Sequence, residues 1–298
     1  MRQSDNLRGI GLMVVAMAFF ALEDMFIKFA ARGLPTGQII LVSGLFGIPV
    51  FAWLAARSGR SIWVRGALHP AVIMRAAGEM VGSLAYITAI AQVPLPTVSA
   101  VLQAMPLAVT LGAALFMGEK VGWRRWTAIA VGFAGVLVVI RPGMAGFQPT
   151  ALWVLVTVVA LAVRDLATRA IPAQFNDAQV SAWGVMAVTL LGALMVAYEG
   201  RVVVPSGLQS LTLVAVGVVG VVGYWAITGA ARTGEVSVVA PFRYTRLVFA
   251  IVIGALIFSE PADAMTLLGA GLIIGSGLYS FARERIRKRA LSMPAAAG

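Results

Sequence analysis

Ten apolar runs, each 18 to 24 residues long, fill almost the whole chain and are joined by short polar connections. About 20 helical residues cross the hydrocarbon core of a bilayer, which is about 30 Å thick. Backbone N–H and C=O groups must be paired inside lipid, so each run is predicted to form a transmembrane α-helix. The predicted fold is therefore an all-α membrane protein with ten transmembrane helices. The predicted spans are 9–31, 36–57, 70–92, 95–117, 123–140, 149–171, 177–199, 208–231, 235–258 and 264–283.

The amino-acid composition limits which cofactors, metals and binding partners can be expected for this chain. Only 12% of the residues are charged and 60% are hydrophobic, which is typical of a polytopic membrane protein. The chain has no cysteine and a single histidine, His69 in a loop, so we expect no metal site, no cofactor and no thiol chemistry. The net charge of +11 is concentrated in the connections and the C-terminal tail, which favours the lipid bilayer over nucleic acid as the partner.

The distribution of basic residues predicts the orientation of the chain. If both termini are cytoplasmic, fifteen Lys and Arg residues of the connections and tails lie on the cytoplasmic side. Only Arg32, Arg141 and Arg201 then lie on the opposite side. Because cytoplasmic loops carry an excess of Lys and Arg, we expect a multi-pass protein of the inner membrane with both ends in the cytoplasm.

A charged pattern in the first helix returns in the sixth helix, 141 residues later. Asp24 corresponds to Asp165 and Lys28 to Arg169 without a gap. Other identical pairs at this offset are Gln38 and Gln179, Gly59 and Gly200, Gly82 and Gly223, Ala89 and Ala230, Val98 and Val239, Leu115 and Leu256, and Glu119 and Glu260. These matches predict a first five-helix repeat over 1–141, a second over 142–289, and a disordered tail over 290–298.

The odd number of helices in each repeat has a topological consequence. The second five-helix repeat must enter the membrane upside down relative to the first. Inverted repeats of this kind are a recurring design of transporters, with the solute site near the midplane at their interface. A duplicated scaffold without transport activity is the alternative.

Several segments together resemble a known family. They are the Asp24-to-Lys28 element, Pro106, Phe116 to Lys120, Val138 to Gly143, Ala240 to Tyr244, and Ile257 to Glu260. In these segments the chain resembles the drug/metabolite transporter superfamily, specifically its ten-helix EamA-type members. The resemblance implies a solute carrier that works by alternating access, with a central cavity lined largely by helices 3, 4, 8 and 9. It implies no particular solute, because members carry amino acids, vitamins, nucleotide-like metabolites and drugs.

Nine charged side chains lie three or more residues from either end of a predicted helix, where lipid makes a charge costly. One interpretation is that they are structural ion pairs that fasten the helices, as i,i+4 spacing within one helix would allow. The pairs expected on this interpretation are Asp24 with Lys28, Arg75 with Glu79, and Arg164 or Arg243 with Asp165.

Two of these charges, both arginines of the ninth predicted helix, replace apolar residues of the first half and are predicted to bind a solute. Arg243 and Arg246 correspond to the apolar residues Leu102 and Met105 of the first half. A guanidinium fork suits a carboxylate or a phosphate. We therefore expect an anionic or zwitterionic solute, such as an amino acid or a related compound.

Other side chains could form the walls and hinges of such a site, although each of them is also common as a packing residue. Glu79 joins the predicted solute-binding residues because its counterpart is Gly220. The predicted cavity walls are Tyr86, Gln103, Tyr224, Trp225 and Tyr244. Gln103 and Tyr244 occupy equivalent positions and are expected to face each other. Pro106 and Pro241 are the predicted hinges, because proline kinks a helix.

Glu23 is the candidate for coupling transport to protons. A carboxylate that leaves water favours its protonated form, so Glu23 could carry a proton across the membrane. The alternative is a satisfied polar contact within the helix bundle.

The predicted function is secondary active transport of a small organic metabolite. Import of a vitamin or nucleotide-like metabolite, similar to riboflavin or S-adenosylmethionine, is the alternative solute class. A membrane-embedded enzyme is a remote alternative, since the sequence has no His-rich cluster and no nucleophile with a base. No nucleotide-binding loop is present, and a duplicated chain contains both halves of a carrier, so a monomer can suffice.

Overall fold

The computed structural model describes residues 3–59, 61–63, 65–144, 146–233 and 235–292, and these residues form helices and no strand. The α-helices are α1 Gln3–Ala31, α2 Thr36–Arg57, α3 Pro70–Gln92, α4 Leu95–Leu102, α5 Met105–Phe116, α6 Trp123–Ile140, α7 Leu152–Arg169, α8 Asp177–Glu199, α9 Gly207–Thr233, α10 Val236–Val239, α11 Thr245–Ile257 and α12 Ala264–Ser292. Short 3-10 segments cover Arg65–Leu68, Pro149–Ala151 and Ala240–Tyr244. The predicted tail over 290–298 lies mostly outside the described residues.

These elements confirm the all-α membrane fold. Nine segments of the described chain are long and apolar enough to cross a membrane, among them the broken segment Leu95–Phe116. The tenth crossing is α3, whose 23 residues include Arg75 and Glu79 and which is not among the nine. Its charges do not face lipid, because α3 packs along α7 and pairs with charges there.

The two ends of the helices define two faces of the bundle. We call the face where α1 begins the proximal face, and the face where α1 ends the distal face. Contacts that join connections at the distal face are Lys28 with Glu260, Arg141 with Asp263, and Gln38 with Val203. Contacts that join connections at the proximal face are Arg169 with Glu119, Asn176 with Ser58, and Gln179 with Ser61. Since α1 ends distally and α7 ends proximally, the two halves run in opposite directions.

Helix packing has the symmetry that the repeat predicts. The most extensive contacts join α1 to α9, α2 to α8, α3 to α7, and α6 to α12, and each joins one half to the other. Exchanging the halves turns the α1–α9 contact into the α3–α7 contact and leaves the other two pairings unchanged. The chain therefore forms one intertwined bundle rather than two separate five-helix domains.

The repeated glutamines show how local sequence fixes this symmetry. The Gln38 side chain donates to the Val203 carbonyl oxygen at 2.7 Å, and its counterpart Gln179 donates to the Ser61 carbonyl oxygen at 2.5 Å. Each glutamine thus binds the connection that leads into a helix of the other half. Gln179 also completes the capping box with Asn176 that begins α8.

Glycine allows close backbone contact between the two halves. A Cβ atom added at Gly135 of α6 would lie 2.7 Å from the carbonyl oxygen of Gly269 in α12. Such close backbone contact is typical of small residues at helix interfaces in membranes, where dispersion and polar contacts drive association.

The main apolar core lies in the distal half of the bundle. Its buried residues include Ile40 near the start of α2, Ile90 near the end of α3, Val101 in α4, Val154 near the start of α7 and Ile273 in α12. The proximal half contains smaller clusters, such as the one around Val72, Val180 and Trp183. Buried apolar packing is therefore more extensive in the distal half than in the proximal half.

Candidate functional site

A cavity of about 310 Å³ lies between the halves, near the middle of the helices. Helices α1, α2, α3, α8 and α9 line it, together with Arg246 of α11. Its polar lining residues are Glu23, Asp24, Ser43, Glu79, Ser83, Tyr86, Tyr224 and Arg246. The family resemblance implies a lining from the third, fourth, eighth and ninth transmembrane helices. This expectation is wrong for the fourth, which comprises α4 and α5, and it omits the first, second and seventh, which are α1, α2 and α8.

The contact between Gln103 and Tyr244 explains why helix 4 does not line the cavity. The Gln103 side-chain amide donates to the Tyr244 backbone carbonyl oxygen at 3.1 Å, and both residues are buried. These equivalent residues do face each other, as the sequence indicates, but their contact closes α4 against the start of α11. Neither residue lines the cavity.

Arg246 and Asp24 form a buried ion pair on the cavity wall. The guanidinium Nη2 lies 2.7 Å from Asp24 Oδ1 and 2.8 Å from Oδ2, and Nε donates to Oδ2 at 3.1 Å. The Tyr86 hydroxyl donates to Asp24 at 2.5 Å and lies 2.7 Å from the Arg246 Nη2. Asp24 is only 1% exposed. Because this network neutralises both charges, Arg246 is not a free anion site.

The predicted pair between Asp24 and Lys28 is wrong, because each side chain has a partner on another helix. Lys28 Nζ lies 2.7 Å from the Glu260 carboxylate and donates to the Val93 carbonyl oxygen at 2.8 Å. A buried ammonium and a buried carboxylate each gain more from such multiple contacts than from one another across a single helix turn. At the other end of the bundle, the equivalent residues Arg169 and Glu119 form a pair at 2.9 Å.

A second charge network lies proximal to the cavity. Glu79 forms ion pairs with Arg75 at 3.0 Å and with Arg164 at 3.1 Å, and Arg164 lies 2.8 Å from Asp165. Two guanidinium groups and two carboxylates make this network neutral. Glu79 lines the cavity but is already held by two cations.

Two charged residues of the transmembrane helices, Glu23 and Arg243, do not belong to either network. Within the described part of the chain, Glu23 accepts no hydrogen bond and forms no ion pair, and it faces the cavity. Arg243 also has no hydrogen bond or ion pair among the described residues, and its side chain is exposed. The guanidinium interacts with the charges of Asp165 and Arg164, which places it beside the proximal network.

The remaining predicted residues divide between the helix breaks and the outer surface. Pro106 lies in the first turn of α5, just after the break between α4 and α5, and Pro241 lies in the 3-10 segment before α11. Both prolines therefore mark interruptions of a crossing. Trp225 is 68% exposed and is not part of the cavity lining, so its assignment to the cavity wall is wrong. Its neighbour Tyr224 lines the cavity instead.

Sequence reasoning missed several lining residues, above all Phe20, Ser43, Phe51 and Ser83. The Ser43 hydroxyl is buried and has no hydrogen-bond partner among the described residues. The sequence offers one weak signal, since Ser43 precedes Gly44, and small residues mark a close approach. Phe51 packs edge-on against the Tyr224 ring at 4.6 Å between ring centroids.

The model of the EamA-like transporter family matches residues 7–141 and 148–281. A riboflavin transporter of Rhizobium johnstonii is 26% identical over 70% of this chain and 68% of its own. The pseudopaline exporter CntI of Pseudomonas aeruginosa is 28% identical over 89% and 93%. An S-adenosylmethionine uptake transporter of Rickettsia felis is 25% identical over 94% of each chain. A solved structure described only as the crystal structure of a protein has a TM-score of 0.59 at 20% identity, covering 98% of this chain and 100% of the other, and shows the same fold.

Proposed function

The chain belongs to the EamA-like transporter family, and on this premise we propose that it is a secondary carrier for a small anionic or zwitterionic metabolite. The family and the relatives are transporters and not enzymes. The proposed carrier works by alternating access in the inner membrane, with both termini in the cytoplasm.

The observation that carries this proposal is an unequal pair of equivalent contacts on the two sides of the cavity. The side chains of the distal pair Lys28 and Glu260 are only 8% and 25% exposed. Those of the proximal pair Arg169 and Glu119 are 48% and 45% exposed. A molecule whose halves are related by symmetry, but whose two ends are sealed unequally, is expected to have a second state in which the ends exchange roles.

The direction of opening follows from the packing and the predicted orientation. The main apolar core closes the distal half, whereas Arg243 is exposed in the proximal half. The predicted orientation places the proximal face in the cytoplasm. This conformation is therefore assigned as inward-facing.

The class of solute is inferred from size and charge. A volume of about 310 Å³ is at the low end of organic ligand pockets and suits a solute of amino-acid size. Arg243 forms no ion pair or hydrogen bond among the described residues and is not among the residues that line the cavity; we propose that it supplies a fork for a carboxylate or phosphate beside the cavity. The names of the relatives favour larger solutes, namely riboflavin and S-adenosylmethionine, which makes a vitamin or nucleotide-like metabolite the second candidate class.

Counterflow in proteoliposomes against a metabolite library tests the proposal. We expect exchange of small carboxylate- or phosphate-bearing solutes, and a loss of exchange in Arg243→Gln with unchanged folding. Arg232→Gln is the matched control, since Arg232 is exposed at the end of α9 on the same face. Exchange of only cations or neutral hydrocarbons, or full activity of Arg243→Gln, would contradict the proposed solute class.

A further inference from the structure

The charges around the cavity leave one carboxylate without an ion pair. Asp24 is neutralised by Arg246, and Glu79 by Arg75 and Arg164. Glu23 is the one carboxylate of the lining that forms no ion pair among the described residues. The charge of Arg246 also acts on it, but the guanidinium itself is bound to Asp24. An ionised group at this depth is costly unless a charge of opposite sign approaches it.

The repeat shows what is missing beside Glu23. Its counterpart in the second half is Arg164, and the counterpart of Glu79 is Gly220. Where α3 meets α7, the carboxylate of Glu79 and the guanidinium of Arg164 are 3.1 Å apart. Where α9 meets α1, the equivalent positions hold only Gly220 and the carboxylate of Glu23. The first contact contains an acid and a base, whereas the second contains an acid alone.

Gly220 is required for the position of this carboxylate. A Cβ atom at Gly220 would lie 2.8 Å from the Glu23 Oε1, so that any larger residue would displace the carboxylate. Glycine at this position lets the Glu23 side chain lie against α9 at the edge of the cavity. Gly220 therefore leaves room for the Glu23 carboxylate, which stays open to a cationic group in the cavity.

The surroundings favour an organic cation over a metal ion. Phe20, Phe51, Tyr86 and Tyr224 line the cavity, and Arg246 already lies 5.6 Å and 5.8 Å from the Phe20 and Tyr86 ring centroids. Aromatic faces attract ammonium groups. The described residues contain no group of three acidic, histidine or cysteine side chains that could hold a metal.

We infer that Glu23 is the subsite for a protonated amine of the transported solute. This inference rests on the proposed carrier function and narrows the solute to a zwitterion, whose acidic group is directed to Arg243. A charge-assisted hydrogen bond from the amine to Glu23 supplies the cation that the α1–α9 contact lacks.

The experiment compares amine-bearing acids with their amine-free analogues in counterflow. The reconstituted full chain is tested with the twenty amino acids, other amine-bearing metabolites and the matching acids without the amine, such as glutarate for glutamate. Protein-free liposomes measure the leak of each solute across the bilayer. We expect exchange of amine-bearing members only. Glu23→Gln is expected to raise their half-saturation concentration about 10- to 100-fold, the range for a lost charge-assisted hydrogen bond, and Glu23→Asp to recover part of the affinity.

Glycine variants supply a second readout that leaves Glu23 in place. Gly220→Ala is expected to raise the half-saturation concentration of amine-bearing solutes by displacing the Glu23 carboxylate. Gly229→Ala is the control on the same helix, since its Cβ would meet only Leu12 at 3.3 Å, and it is expected to leave exchange unchanged.

The outcomes separate the subsite from the carrier function. Equal exchange of amine-free analogues by the unmodified protein would overturn the subsite while leaving the carrier intact, and this comparison needs no variant to fold. A Glu23→Gln protein that loses only accumulation driven by a pH gradient, with unchanged counterflow, would make Glu23 a proton carrier and also overturn the subsite. If no member of the library exchanges, the proposed carrier function fails, and the subsite with it.

Discussion

The two equivalent ion pairs at the ends of the bundle provide a test with an internal control. Lys28→Met removes the ammonium of the distal pair but keeps most of the side-chain length. Arg169→Met does the same to the equivalent proximal pair. The two pairs occupy the same positions of the repeat and differ mainly in burial, so their comparison isolates the effect of burial on an ion pair.

The expected magnitudes follow from the exposure of each pair. Removing one partner of a buried pair costs about 3–5 kcal/mol, because the other charge stays buried. Glu260 is 25% exposed and still accepts a hydrogen bond from the Leu95 N–H at 3.0 Å. We therefore expect Lys28→Met to lower the free energy of unfolding by about 3 kcal/mol. Exposed pairs contribute about 0.2–1 kcal/mol, so Arg169→Met is expected to cost about 0.5 kcal/mol.

The measurement is equilibrium unfolding in mixed detergent micelles, followed by the fluorescence of the seven tryptophans. The double variant Lys28→Met/Glu260→Gln should be more stable than Lys28→Met, because no buried charge is then left without a partner. Equal losses in Lys28→Met and Arg169→Met would refute the reasoning, since burial would then not set the strength of these pairs.

Three further predictions concern other contacts. Arg246→Met is expected to lower the free energy of unfolding by about 3–5 kcal/mol, because Asp24 is 1% exposed, and Asp24→Asn in the same chain should restore part of it; thermal unfolding that is equally low in the double variant would contradict this. Gly135→Ala should cost about 1–3 kcal/mol, since the new Cβ would lie 2.7 Å from a backbone oxygen, whereas Gly271→Ala, with nothing within 4 Å, should cost nothing measurable by the same assay. Arg141 at the distal face holds the pKa of Asp263 at about 2, below its ordinary value of 3.8. This contact therefore stabilises the folded protein fully above about pH 4, and its contribution is lost as the pH falls through 2. Asp263→Asn should flatten this part of the pH–stability profile, and an unchanged profile would exclude the contact.

Much of the architecture could be predicted from the sequence. The ten crossings follow from the lengths of the apolar runs, because lipid leaves a spanning segment few alternatives to the helix. The inverted halves follow from the offset that relates Asp24 to Asp165. Both properties follow from the order of residues along the chain, so neither requires knowledge of which helices are in contact.

The partners of the charges could not be predicted in the same way. Asp24 pairs with Arg246, 222 residues away, and Lys28 with Glu260, 232 residues away, although Asp24 and Lys28 are four residues apart on α1. Spacing within a helix indicates which pairs are possible. Packing between helices decides which of them form, because a partner on a neighbouring helix can offer more contacts to a desolvated charge.

The cavity lining was also decided only by the tertiary structure. In water, an apolar stripe along a helix indicates the face that is buried. In lipid, both faces of a helix are apolar, so the sequence of α9 does not distinguish Tyr224, which lines the cavity, from Trp225, which is exposed. The sequence determined the helices, their order and their inverted repeat, whereas the rotation of each helix, and with it the position of Glu23 in the cavity, was determined by packing between the two halves.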